Sequence, residues 1–415
     1  MASTLHLNLP IPDQAAQNRS QQLYRIIQQN IEQAGGWIDF ASFMQMALYT
    51  PALGYYSGGA VKFADNQNGG GDFVTAPQIS PLFARTLARQ AAQVLSEIQV
   101  SREAKISCEA QISSEAQISS KTQGHILELG AGTGKLAADL LLELQRLQQL
   151  PAHYYILEVS DYLRQTQLET LQKLPSDLYA RFVWLDTLPV DFVGLIIGNE
   201  VLDAITVHLV GNTEQGFIER GVGFEEDFIW QDKPLVAGKL NEEVSAHSLP
   251  IDYLTEFCPA ATGLIHSLAA SLKQGVILMI DYGFGAAEYY HPQRNTGTLM
   301  CHYQHYAHSN PLMYVGLQDI TAHVNFTAIA EAGVSQHLNL AGYCNQASFL
   351  MNCGLLEILS ETSPSDMAAY APMAAAAQKL LSPAEMGELF KVIALSKNFD
   401  APLIGFKSGD KAHML

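Results

Sequence analysis

His125-Ile126-Leu127-Glu128-Leu129-Gly130-Ala131-Gly132-Thr133-Gly134-Lys135 is the stretch on which the fold turns. The apolar run Ile126 to Leu129 stops at three glycines spaced two apart. A segment with Leu136, Leu140, Leu141, Leu144 and Leu147 at helical spacing follows. The pattern predicts a buried strand, a glycine turn and a helix. Glycine has no Cβ and accepts positive φ, so such a turn lets a ligand lie against bare backbone.

Spacing discriminates among the ligands that use this turn. In a dinucleotide site, Gly-x-Gly-x-x-Gly, the third glycine comes one residue later than here. In a phosphate loop, Gly-x-x-x-x-Gly-Lys-Ser/Thr, a glycine is required where Leu129 stands and a hydroxyl where Leu136 stands. Glu-x-Gly-x-Gly-x-Gly fits the S-adenosyl-L-methionine (SAM) site of class I methyltransferases.

Outward from the turn, strand and helix signals alternate. Strands are expected at 126–129, 154–159, 182–185, 194–198, 276–281, 337–340 and 390–396, and helices at 163–174 and 264–272. This rhythm predicts an α/β, Rossmann-like, mostly parallel seven-stranded sheet covered by helices. Aromatic and β-branched alternation from Val207 to about Val244 predicts a β-rich insertion after the fourth strand, on the sheet edge that usually holds substrates. The expected organisation is an N-terminal helical or lid region over 1–100, an exposed insertion over 101–124, a SAM-binding core over 125–206 and 273–400, and a substrate-side insertion over 207–272. The first insertion carries three hexapeptides, Glu-Ala-Lys-Ile-Ser-Cys and twice Glu-Ala-Gln-Ile-Ser-Ser, too few to stack as a β-helix.

The 415 residues can bury one large core or two modest ones. No apolar run approaches the roughly 18 residues of a membrane span. Met1 to Gln14 carries neither a signal-peptide pattern nor an arginine-rich amphipathic one. Five cysteines without paired short spacings are expected to be reduced thiols, which points to the cytoplasm. The net charge of −18 disfavours a nucleic-acid backbone as partner and serves solubility. Neither a membrane nor a nucleic acid is therefore an expected partner. Composition says nothing of oligomeric state.

Four groups of residues carry candidate chemistry. Glu158 ends the second strand, where a carboxylate can accept both ribose hydroxyls of an adenosine. Trp184 and Asp186 close the third strand. They either stack on adenine and accept from its amine, or are a core tryptophan and a turn aspartate. Asn199-Glu200-Val201-Leu202-Asp203 follows the fourth strand. If the chain turns helical there, Glu200 and Asp203 share a face and can grip a guanidinium, with Asn199 a cofactor-binding candidate; the alternative is a helix cap at Asn199 with acids in the first turn. Asp281-Tyr282-Gly283 ends the fifth strand and either lines the same cleft or turns the chain. His291, His302, His305, His308 and His323 lack a compact ligand pairing, so no metal is expected.

With these motifs in view, the chain resembles the MidA-like class I SAM-dependent methyltransferases, which include a mitochondrial protein arginine methyltransferase needed for respiratory complex I assembly. The resemblance rests on 51–56 (Pro-Ala-Leu-Gly-Tyr-Tyr), 71–83 (Gly-Asp-Phe-Val-Thr-Ala-Pro-Gln-Ile-Ser-Pro-Leu-Phe), Glu158-Val159-Ser160 with Leu163-Arg164, and 199–204 (Asn-Glu-Val-Leu-Asp-Ala). Asp281-Tyr282-Gly283, Gly297-Thr298-Leu299 and 319–324 (Asp-Ile-Thr-Ala-His-Val) add to it. It spans about Tyr49 to Lys397. Thr206 and Asn325 depart from it, standing where the family tends to show proline and aspartate. It implies that Glu128, Gly130, Gly132, Gly134 and Glu158 bind the cofactor, and that 75–83 packs over it. It also implies that an arginine of a partner protein accepts the methyl group, with Glu200 and Asp203 holding it. Two other readings remain: methyl transfer to a small molecule, and a SAM-binding assembly factor that works by docking. A nicotinamide dehydrogenase is disfavoured by the glycine spacing.

Overall fold

The computed structural model describes the backbone of residues 9–58, 75–110 and 123–415. The chain divides into two units, one from Thr75–Asp203, Ala261–Tyr289 and Val324–Leu415, the other from Met1–Val74, Ala204–Ala260 and Tyr290–His323.

The first unit is built on seven strands: β1 (His125–Leu129), β2 (Tyr154–Leu157), β3 (Phe182–Leu185), β4 (Phe192–Asn199), β5 (Leu272–Phe284), β6 (Asn339–Asn345) and β7 (Phe390–Lys397). Their order is β3-β2-β1-β4-β5-β7-β6, and two residues, Val324–Asn325, pair alongside the end of β5. The pairs from β3 across to β5 are parallel, whereas β7 runs antiparallel to both β5 and β6. A parallel sheet is covered on both faces, so its strands read as continuous apolar runs. In β4 every residue from Phe192 to Gly198 is buried. This is the expected mostly parallel α/β architecture.

Helices α1 (Pro81–Ala110), α2 (Lys135–Arg146) and α3 (Asp161–Leu171) cover this sheet. Leu136, Leu140, Leu141 and Leu144 of α2 are buried at the expected spacing. They join Leu82, Leu87, Val94, Leu195 and Leu278 in one core. The strand order reverses at β1 and β4, which opens a crevice beyond their carboxyl ends, where α/β sheets hold ligands.

The other unit has a five-stranded antiparallel sheet of Trp37–Asp39, His208–Thr213, Gly216–Phe224, Phe228–Pro234 and Tyr253–Phe257. A three-stranded sheet, Met300–Tyr303, Tyr306–His308 and Asp319–Thr321, accompanies it. Leu23, Ile27 and Ile31 of the helix Gln14–Gln33 pack with Phe40, Phe43, Val222 and Phe228 in its core. The buried Glu256 carboxylate accepts from the Thr298 and Leu299 amides at 2.8 and 2.9 Å, which pins the Gly297-Thr298-Leu299 motif.

These boundaries differ from those expected. The 207–272 insertion is not a separate module, because Trp37–Asp39 pairs with Gly216–Phe224 and Glu256 binds residues 298–299. The stretch 290–323 leaves the 273–400 core for the same reason. The helix Pro259–Ser271 falls almost entirely in the first unit. Helix α1 runs on to Ala110 and takes in the first hexapeptide, so the expected break at 101 is not observed. Residues 111–122 lie outside the described residues.

Candidate active site

The glycine turn has the backbone its sequence demands. Gly130, Gly132 and Gly134 have φ of +59°, +54° and +80°, a region that costs an L side chain roughly 1–2 kcal/mol. Gly130 closes β1 by donating to the Leu157 carbonyl at 3.0 Å, and Gly134 starts α2. A Cβ on Gly134 would lie 3.3 Å from the Gln167 Cα, so this glycine also lets α3 approach the turn closely. The short helix Ala76–Ile79 sends Gln78 Nε2 to Thr133 Oγ1 at 2.6 Å.

Three strand ends bring the predicted residues to this turn. Glu158, just past β2, is buried. Its Oε1 accepts from the Ser160 amide and its Oε2 from Gln167 Nε2, each at 2.9 Å. Burial raises its pKa, and these hydrogen bonds oppose the rise. Each carboxylate oxygen keeps a further lone pair for a ribose hydroxyl. Glu128 is buried beneath the turn and accepts from the Tyr154 hydroxyl at 2.6 Å. Burial pushes its pKa up to about 7, with the Tyr154 bond opposing and the Glu158 charge adding. Trp184 is half-buried and donates its indole N–H to Gln167 Oε1 at 3.0 Å. Asp186 is exposed and pairs with Arg164 at 2.8 Å.

The segment after β4 departs from expectation. Asn199 to Asp203 is not helical, so Asn199 caps nothing and Glu200 and Asp203 share no helix face. Glu200 takes a φ of +54° and donates its amide to the Ile280 carbonyl at 2.9 Å. The cause is the Asp281 carboxylate, whose Oδ2 accepts from the amides of Val201, Leu202 and Asp203 at 3.1, 2.8 and 3.3 Å. Those donors are thereby spent on the buried Asp281 carboxyl rather than on a helix turn. Asp281 thus shapes the loop, which answers the alternatives its sequence left open. The neighbouring Tyr282 hydroxyl donates to Asp203 Oδ2 at 2.5 Å. Burial, then the nearby Asp203 and Glu200 charges, hold the Asp281 pKa well above the usual carboxylate range. The Glu200 and Asp203 charges that raise it favour a cation beside them.

Sequence reasoning missed Gln167, and it named Arg164 only within the family motif, without a role. Both sit on α3, and Gln167 was legible as the polar member of a buried stripe, Leu163, Gln167 and Leu171. Among the described residues, none of the five singled-out histidines joins a group able to hold a metal; a different trio, Asp39, His208 and Glu219, does. Contacts within the fold account for that trio. His208 Nδ1 lies 2.6 Å from Glu219 Oε1, and Asp39 caps the helix Phe40–Tyr49.

The first-unit residues fit SAM. The glycine turn is a cradle that side chains would fill. Asn199 Oδ1 is a buried acceptor with no hydrogen-bond partner among the described residues, suited to an ammonium donor.

Comparisons with known proteins agree. Residues 109–344 match the family model described as "Putative S-adenosyl-L-methionine-dependent methyltransferase". A Burkholderia thailandensis protein, crystallised bound to S-adenosyl-homocysteine, is 45% identical. The match covers 98% of this chain and 100% of that one, with a TM-score of 0.89. A native crystal structure from the same organism is 44% identical over 98% and 100% of the two chains, with a TM-score of 0.85. Among curated proteins, the mitochondrial protein arginine methyltransferase NDUFAF7 of Danio rerio is 26% identical over 87% of this chain and 84% of its own length. Its Homo sapiens counterpart is 25% identical over 92% and 85%. The fold, the glycine turn and these matches together establish that the chain belongs to the MidA-like family of SAM-dependent methyltransferases, with SAM as its cofactor.

Proposed function

We propose that this methyltransferase acts on the side chain of an arginine in a partner protein. The observation that carries the reading is the grouping of Glu200 and Asp203, just past the end of β4, near the buried Asp281 of β5, whose pKa their charges help to raise. A guanidinium there would meet charges of opposite sign and could be held bidentately. The names of the curated relatives, protein arginine methyltransferases, support the same class of acceptor.

In this reading Gly130, Gly132 and Gly134 present bare backbone to the cofactor. Glu158 holds the ribose, Trp184 covers the adenine, and Asp186 accepts from the adenine amine. Asn199 receives the cofactor ammonium, and Glu128 supports the turn from below. Bound SAM supplies a methyl group made electrophilic by its sulfonium. Glu200 and Asp203 orient one guanidinium nitrogen in line with it, and positioning is the main contribution to rate. Their negative charge also offsets the cation on a group whose pKa exceeds about 12 and which loses a proton on methylation.

The test is incubation of the purified protein with methyl-labelled SAM and lysate from a strain lacking it, followed by mass spectrometry. Label on arginine in one or a few proteins is the expected result. Label in a small molecule, or none in a lysate containing the physiological acceptor, overturns the reading.

A further inference from the structure

The geometry points to Gln167 as a positioning residue for the cofactor, through its hold on three parts of the site at once. Its side chain is fully buried in the middle of α3. Nε2 donates to the Gly132 carbonyl at 3.1 Å and to Glu158 Oε2 at 2.9 Å, and Oε1 accepts from the Trp184 indole at 3.0 Å. One amide thus ties the glycine turn, the end of β2 and the end of β3, and none of its three bonds repeats another. Among uncharged side chains only the primary amides of glutamine and asparagine donate twice and accept once from a single planar group, and asparagine is one methylene shorter. One turn earlier, Arg164 Nη2 donates to the Leu185 carbonyl at 3.0 Å and to Asp186 at 2.8 Å, so the same helix also holds the rim. Gly134 makes this possible, because a Cβ there would crowd the Gln167 Cα. Gln167 sets the rotamer of Glu158 and the plane of Trp184 before the cofactor arrives, which removes an ordering cost from binding.

The inference rests on Glu158 binding the ribose, and calorimetric titration with S-adenosyl-homocysteine separates the two claims. Glu158→Ala, Gln167→Met and the double variant form a cycle. Gln167→Met is expected to weaken binding about 10-fold, the scale of one charge-assisted hydrogen bond. The double variant should lose less than the product of the two single losses, since part of the effect of Gln167 passes through that carboxylate. Unchanged affinity in Gln167→Met, or losses that multiply in the double variant, overturns the inference while leaving the ribose assignment standing. Unchanged affinity in Glu158→Ala removes the ribose assignment and the inference with it. If Gln167→Met does not fold, Gln167→Glu gives the same reading. Its carboxylate cannot donate and repels Glu158, so its deficit relative to wild type should shrink as pH falls and it is protonated. A deficit flat in pH overturns the inference.

Discussion

Replacing Glu128 with glutamine should make the protein more stable at alkaline pH and leave it little changed at acid pH. Glu128 is buried under the glycine turn, and its pKa is raised from an ordinary 4.5 to about 7, chiefly by burial. A raised carboxyl pKa means that the folded state binds a proton the unfolded chain has released. This stabilisation is complete below the unfolded value and is lost as pH rises through the folded one. At 1.36 kcal/mol per unit, the shift corresponds to about 3.4 kcal/mol, of which about 2.5 kcal/mol is lost between pH 5 and pH 8. Glutamine is neutral throughout and can still accept from the Tyr154 hydroxyl, so Glu128→Gln imitates the protonated acid. Urea unfolding of both proteins at pH 5 and pH 8, followed by circular dichroism, measures the difference directly. The stability of Glu128→Gln relative to wild type should rise by about 2.5 kcal/mol across that interval. A relative stability that stays constant would refute the claim that Glu128 is a protonated buried acid near neutrality.

Gly132→Val should lower affinity for S-adenosyl-homocysteine by at least about 100-fold in calorimetry, because a β-branched residue is disfavoured at φ +54° and its side chain fills the cradle. Retained affinity would move the cofactor elsewhere. Glu200→Gln with Asp203→Asn should bind S-adenosyl-homocysteine as wild type does and lose methyl transfer to the labelled acceptor by about 100-fold or more; unimpaired turnover would exclude both from the acceptor site. Leu140→Ala, at a fully buried position of α2, should cost about 2–5 kcal/mol in urea unfolding. A loss below about 1 kcal/mol would show that the core around α2 collapses onto the gap.

The sheet was legible because buried parallel strands are uninterrupted apolar runs, and β1, β3 and β7 fall within a residue of where the sequence puts them. Local signals carried the glycine turn for the same reason: the conformation is dictated by the residues that adopt it. The loop after β4 was misread because its shape is imposed from 78 to 80 residues away. Acids behind Asn199 look like a helix start until Asp281 is known to take the amides. The pairing of Trp37–Asp39 with Gly216–Phe224 was invisible, since three residues carry too little periodicity to announce a partner so distant in the chain. Gln167 was overlooked because attention fell on acids and aromatics at strand ends, whereas its work is done from a helix interior.

The second unit is assembled from three stretches of chain interrupted by pieces of the first. Two of them, Ala204–Ala260 and Tyr290–His323, leave the sheet shortly after β4 and β5 end. A module of this kind cannot be added or discarded by joining or trimming genes at their ends. It has to grow from within, by lengthening loops that already bordered the chemistry. A ribosome therefore releases the second unit whole only after His323 has emerged, and the first only after the strand Phe390–Lys397 has followed it.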